Sequence, residues 1–313
     1  MLRIKESTKN HKNQLERWLG YEDGIGKKGI ELFEKNGIAF VGEGETGDIG
    51  ISWHGFKVEG IKQKDCILMK NEPPIYYSLF NRKMNNPGYN KKFLCAMASH
   101  RLEGFDQYYY NIPRYEFNLV EEHFGTPKER LLCMILRNKN KSYLFNKYSP
   151  GTRKYNTQSL IKFRQMADKV FCQYFDSSVY NSYGGPWKYP CYCGEVKENG
   201  KWEVFAKYKF TFCPENSRFY GYVCEKAVQP QCCGSVPIYF GAYDVNEYLP
   251  KGTFINYANF KSVKSLCEYI TGMDENEYNI YLRNIKKFVT SQNAFSSVLF
   301  AMRFLKVLNE VKK

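Results

Sequence analysis

The segment from Lys207 to Gly241, KYKFTFCPENSRFYGYVCEKAVQPQCCGSVPIYFG, restricts the fold more than any other stretch of this chain. Tyr208, Phe210 and Phe212 alternate with Lys207, Lys209 and Thr211, so the residues up to Cys213 read as a strand. PENSRFYGY is the following loop, Val223 onward reads as helical, Gly234 closes that helix, and residues 236–240 form a second apolar strand. A strand, a crossover helix and a second strand in this order make a βαβ unit with parallel strands. Pro230 falls inside the helix, where it removes a backbone donor and should kink or shorten it. In open α/β sheets ligands bind beyond the carboxyl ends of the strands, where helix N-termini offer free N–H groups to phosphate. Glu225 and Lys226 fall in the first helical turn at that edge, so the sequence places a nucleotide site there.

The bulk properties narrow the class of protein. A chain of 313 residues is long enough for two domains, each with its own core. The net charge of +14 admits nucleic acid, an acidic membrane surface or an anionic substrate as partner. The lysines are scattered (Lys27, Lys28, Lys91, Lys92, Lys139, Lys141, Lys312, Lys313), without a basic block or a nucleic-acid motif, so no nucleic acid is expected. An anionic substrate, peripheral contact with an acidic membrane surface, or a merely solvated surface accounts for the charge. Eleven cysteines form no CxxC pair and are odd in number, so neither a zinc site nor a disulphide framework is expected, and a reducing compartment follows. Residues 1–17 are polar, and no run reaches the ~20 apolar residues of a transmembrane helix. A cytoplasmic protein without leader or membrane span is the expectation. No DxD occurs, and His11, His54, His100 and His123 lack ligand spacing, so no metal site is expected.

Along the first part, residues 30–35 read as a helix and 38–41, 48–53 and 66–69 as strands, whereas 76–118 are loop-rich and aromatic. Gly125, Thr126 and Pro127 mark a linker, dividing the chain into domains 1–125 and 126–313. The second domain opens with a strand at 131–136. Leu160, Phe163, Ala167, Val170, Phe171 and Tyr174 then recur at helical spacing over 159–175. A strand at 254–257, a helix at 262–270 and one final helix from 275 to 311 complete the reading.

The string YKFTFCPENSRFYGYVCEK followed by VPIYFG resembles the donor-binding signature of the α-1,3/α-1,4-fucosyltransferases, glycosyltransferase family 10. In that family a YKF strand, FENS, a short loop, GYVTEK, a helix and an IPIYWG strand follow one another. Pro214 and Cys224 depart from the pattern, standing where the family has an aromatic and a hydroxyl residue. The resemblance implies a GT-B fold: two Rossmann-like α/β domains facing a cleft, with the C-terminal helix able to pack back on the first. The first domain would bind the acceptor and the second the donor. Without a membrane stem, the chain is similar to the soluble bacterial or viral members. The implied reaction moves L-fucose from GDP-β-L-fucose to a hydroxyl of an acceptor glycan with inversion, as an α-1,3 link to N-acetylglucosamine.

Site residues carry over by register. The implied general base is Glu72, in CILMKNEPPIY just after the strand at 66–69, with an ordinary loop glutamate as the competing account. On the donor side the resemblance points to Arg164, Asn216, Tyr222, Glu225 and Lys226. Lys226 and Arg164 would neutralise the diphosphate, and Glu225 would accept hydrogen bonds from the ribose hydroxyls. Asn216 and Tyr222 would bind ribose, phosphate or fucose, while Glu215 is left to cap the loop. His54, in ISWHG, is the candidate at the acceptor. The expected partners are GDP-fucose and an acceptor glycan. No cofactor is required, although stimulation by a divalent cation stays open. The alternatives are another GDP-linked 6-deoxyhexose as donor, or a non-enzymatic binding protein.

Overall fold

A computed structural model describes residues 1–7, 25–42, 44–53, 56–70, 87–98, 105–107, 120–136, 158–159, 177–181, 191–196, 200–291 and 297–311. The chain divides into two compact units. The first comprises Met1–Tyr115, Ser149–Thr157 and Phe295–Lys313, the second Glu116–Tyr148 and Gln158–Ala294.

The first unit is built on a six-stranded sheet from β1 (Leu2–Glu6), β2 (Ile38–Val41), β3 (Ile49–Trp53), β4 (Cys66–Lys70), β5 (Cys95–Ala98) and β6 (Asp106–Gln107). The strand order is β2-β1-β3-β4-β5-β6 and every pair is parallel. Helix α1 (Ile25–Lys35) precedes β2. The N-terminal residues, polar by composition, thus supply an interior strand. Ile4 is buried, and Lys5 is buried too because its ammonium donates to the Glu45 carbonyl at 3.0 Å.

The C-terminal helix, Ser297–Val311, packs back on this unit. Ala301, Phe304 and Leu308 join Ile4, Phe33, Ile51, Trp53, Met69 and Met97 in one core, and the Phe33 and Phe304 rings meet edge to face at 5.6 Å. Phe304 is fully buried, so its truncation to Ala would cost about 3–5 kcal/mol. The single helix expected over 275–311 is in fact two. Ser291 adopts an extended conformation (φ −71°, ψ 128°) that ends the preceding helix at Thr290, and the two helices belong to different units.

The second unit contains β7 (Arg130–Leu136), β8 (Gln158–Ser159), β9 (Ser177–Asn181), β10 (Tyr192–Glu195), α2 (Lys201–Lys207), β11 (Tyr208–Pro214), β12 (Ser217–Arg218), α3 (Gln229–Cys232), β13 (Val236–Phe240), β14 (Ile255–Asn256), α4 (Val263–Gly272) and α5 (Glu275–Thr290). Its main sheet runs β10-β9-β7-β11-β13-β14, again wholly parallel. β12 pairs antiparallel with β8, so Ser159 is a strand residue facing Ser217 rather than the start of a helix. The remainder of the helix read over 159–175 lies outside the described residues.

β11 and β13 are neighbours, in register from Phe210 opposite Val236 to Pro214 opposite Phe240. Both are buried almost throughout, as strands covered on both faces of a parallel sheet must be. The exception, Lys209, pairs with Glu275 and lies over the Tyr278 ring at 5.0 Å. The crossover between them is short: a 3-10 turn at Glu225–Ala227, then the single turn α3 with Pro230 in its first turn, where a missing N–H costs nothing. Gly234 ends it with φ 68°. A Cβ there would stand 2.7 Å from the Phe124 carbonyl oxygen, so only glycine fits. Lys128 donates to the Ala206 and Cys233 carbonyls at 2.7 and 2.9 Å, capping the ends of α2 and α3.

Among the described residues nine cysteines are free thiols, but Cys191 is disulphide-bonded. The expectation of unbridged cysteines is corrected there; an odd count and absent CxxC spacing do not exclude one pairing. Among the described residues no helix is long and apolar enough to cross a membrane.

Candidate functional site

The loop leaving β11 is tied down at its first residue. The Glu215 N–H donates to the Phe240 carbonyl at 2.8 Å, so the chain leaves the sheet joined to the end of β13. The Glu215 side chain turns inward, with no exposure to solvent. Its Oε1 accepts from the Cys224 N–H at 2.8 Å, which closes the loop, and its Oε2 accepts from Lys226 Nζ at 3.1 Å. Glu225 Oε1 lies 3.3 Å from the same ammonium. One buried carboxylate therefore serves two ends: it fixes the loop and positions the lysine.

The neighbouring strand end supports this arrangement. The buried Tyr239 hydroxyl donates to the Tyr222 carbonyl at 3.1 Å and accepts from the Ala242 N–H at 2.9 Å. A Cβ on Gly241 would overlap that hydroxyl and stand 2.5 Å from Glu215 Cγ, so the last residue of VPIYFG has to be glycine. Asp244 Oδ1 accepts from the Gly221 N–H at 2.8 Å, holding the middle of the loop. Asn216 and Tyr222 are both buried within it.

Electrostatics distinguishes the two carboxyls. Burial pushes the Glu215 carboxyl above its usual range, with Lys226 acting against it. Burial would also raise Glu225, but Lys226, a backbone N–H and Lys201 together hold it below the usual carboxylate range. The Lys226 side chain retains 21% exposure, and its ammonium is held by both carboxylates.

Arg218, on β12, also reaches Gly241. Its Nε donates to the Gly241 carbonyl at 3.3 Å. The guanidinium lies over the Tyr243 ring at 4.3 Å and the Phe240 ring at 4.8 Å.

Of the residues singled out by sequence, Asn216, Tyr222, Glu225 and Lys226 come together at the carboxyl edge of β11 and β13. Glu72, Arg164 and His54 lie outside the described residues; β4 ends at Lys70, two residues before Glu72. Two features escaped sequence reasoning. Glu215 binds Lys226 as well as the loop, a contact whose only sequence signal is the pair of acidic residues flanking GY in ENSRFYGYVCEK. Arg218 depends on Phe240 and Tyr243, more than twenty residues away, and carries no local signal. Among the described residues no group of three or more His, Cys, Asp or Glu could hold a metal ion.

An ammonium set between carboxylates at the carboxyl ends of parallel strands is suited to a polyhydroxylated anionic ligand. The comparisons point the same way. Residues 154–304 match the family model described as glycosyltransferase family 10 (fucosyltransferase) C-term. The α-(1,3)-fucosyltransferase FucT of Helicobacter pylori is 34% identical over 80 residues, 26% of this chain and 16% of that protein. The GDP-fucose protein O-fucosyltransferase 3 of Gallus gallus is 34% identical over 84 residues, 26% of this chain and 18% of that one. The chain therefore spans less than a fifth of the length of these two curated relatives. A crystal structure of an α1,3-fucosyltransferase with GDP superposes with a TM-score of 0.61 at 14% identity, covering 99% of this chain and 89% of that one, which fixes the fold as GT-B. The buried Glu215, the Glu225–Lys226 pair and the parallel strands that carry them all lie inside residues 154–304, the segment that matches the C-terminal domain of glycosyltransferase family 10.

Proposed function

We propose that this protein is an inverting fucosyltransferase that takes its sugar from GDP-β-L-fucose and passes it to a hydroxyl of an acceptor glycan, as an α-1,3 link to N-acetylglucosamine. The observation that carries the reading is the Lys226 ammonium, held by Glu215 and Glu225 at the carboxyl edge of β11 and β13 inside the family segment. In the reaction the acceptor oxygen attacks C1 of fucose as the bond from C1 to the diphosphate oxygen breaks, and GDP departs with added negative charge. Lys226 and Arg164 stabilise that charge, Glu225 accepts from the ribose hydroxyls, and Asn216 and Tyr222 fill the remaining polar contacts. Glu72, following β4, takes the acceptor proton, and His54 lies on the acceptor side. The charge on the diphosphate is met by side chains, so no metal is required.

The names of the relatives agree on fucose; one specifies an α-1,3 linkage and the other a protein acceptor. The α-1,3 reading follows the name of the bacterial relative. The test is incubation with GDP-fucose and a panel of glycans, with and without EDTA, followed by mass-spectrometric linkage analysis and competition by other GDP-sugars. A deoxyhexose on O3 of N-acetylglucosamine supports the proposal. Preference for another GDP-6-deoxyhexose, or transfer to polypeptide hydroxyls alone, overturns its donor or acceptor half.

A further inference from the structure

We propose that Arg218 is a ligand of the donor diphosphate, a role that rests on the nucleotide-sugar reading above. The argument begins with charge. Glu215, Glu225 and Lys226 form one cluster, and two carboxylates against one ammonium leave it with a negative charge in excess when all are ionised. Such a cluster orients hydroxyl groups well but leaves the Lys226 charge shared with two carboxylates, so a diphosphate held there calls for cations besides Lys226, and more than Arg164 alone can serve.

Arg218 meets that need. It shares Gly241 with the cluster, donating to the carbonyl of the residue whose α-carbon packs against Glu215. Its guanidinium lies over the Tyr243 and Phe240 rings, and Tyr243 is itself flanked by Tyr220 at 5.1 Å. A guanidinium has five N–H donors, of which the Gly241 carbonyl takes the one on Nε. Among the described residues no carboxylate or carbonyl pairs with the terminal Nη1 and Nη2 nitrogens. The fork is fixed in orientation with its outer edge unsatisfied, which is the preorganised state for two parallel hydrogen bonds to phosphate oxygens. An arginine serving only to hold the loop would have no need of a partner-free edge next to a site for an anion.

The test is calorimetric binding of GDP and of guanosine to the wild type, Arg218→Gln and Arg218→Lys, each checked for folding by its thermal transition. Gln can still donate one hydrogen bond to the Gly241 carbonyl but has no charge; Lys has the charge but not the fork. Arg218→Gln should weaken GDP by roughly 10- to 100-fold and leave guanosine unchanged, with Arg218→Lys falling between. GDP affinity within about twofold of wild type in a folded Arg218→Gln variant overturns the assignment alone, as does an equal loss for guanosine and GDP, which would make the guanidinium a base or ribose contact. Absence of GDP binding by the wild type overturns the nucleotide-sugar reading, and this assignment with it.

Discussion

Lys226→Ala tests whether the buried Glu215 carboxylate depends on its ammonium partner. In the variant Glu215 keeps the Cys224 N–H but loses the 3.1 Å contact, at a position without access to solvent. Stranding a buried charge that had been paired costs about 3–5 kcal/mol. The group has one means of relief, which is to take up a proton. Burial already raises the Glu215 pKa in the intact protein, and losing Lys226, which acts to lower it, raises it further. A carboxyl whose folded pKa exceeds its unfolded value of 4.5 binds protons in the folded state that the unfolded state releases, so stability falls as pH rises from that value through the folded pKa. The loss in Lys226→Ala should therefore be small near about pH 5 and approach ~3–5 kcal/mol near about pH 8. Adding Glu215→Gln keeps an acceptor for the Cys224 N–H and removes the charge, so the double variant should recover most of the loss at the higher pH. Urea unfolding of the wild type and both variants at the two pH values measures this. Equal losses at both pH values, or no recovery in the double variant, would refute the reasoning.

Gly241→Ala places a Cβ 2.5 Å from Glu215 Cγ and against the Tyr239 hydroxyl, so calorimetry should show a destabilisation of about 1–3 kcal/mol; an unchanged thermal midpoint would contradict the packing described. Lys128→Met removes the donor from two helix-end carbonyls and should cost about 1–3 kcal/mol. Burial lowers the Lys128 pKa from 10.5 to about 8, so between those values the unfolded state binds the extra proton. Stability of the wild type relative to Lys128→Met should accordingly rise across that window in paired urea titrations, and a flat difference would show that Lys128 is not so buried.

The elements that local pattern reveals are those whose neighbours are near in sequence. β11, β13 and the Gly234 stop were legible because apolar alternation and a left-handed turn are written in adjacent residues. Pro230 likewise signalled a shortened helix. β1 was missed because it is only five residues long and offers just two apolar positions, Leu2 and Ile4, and its buried Lys5 is held by a carbonyl 40 residues away. The break after Thr290 was hidden because apolar spacing continues on both sides of it, although the polar Ser291, Gln292 and Asn293 interrupt the run. At the site, Glu225 and Lys226 stood out by register alone. Glu215 was readable as a loop cap but not as the counter-ion of Lys226, and Arg218 was invisible, since its surroundings exist only once β13 is in place.

The central claim is transfer of fucose from a GDP-linked donor through Glu72 as base. Its most direct test measures GDP-fucose binding and turnover side by side for the wild type and Glu72→Gln. The account predicts that the variant binds the donor as the wild type does, while kcat falls by about 10²–10⁴, the loss expected when a general base is removed. Turnover of Glu72→Gln within a few-fold of wild type would move the base to another group. A wild-type protein that neither binds GDP-fucose nor transfers its sugar would contradict the account itself.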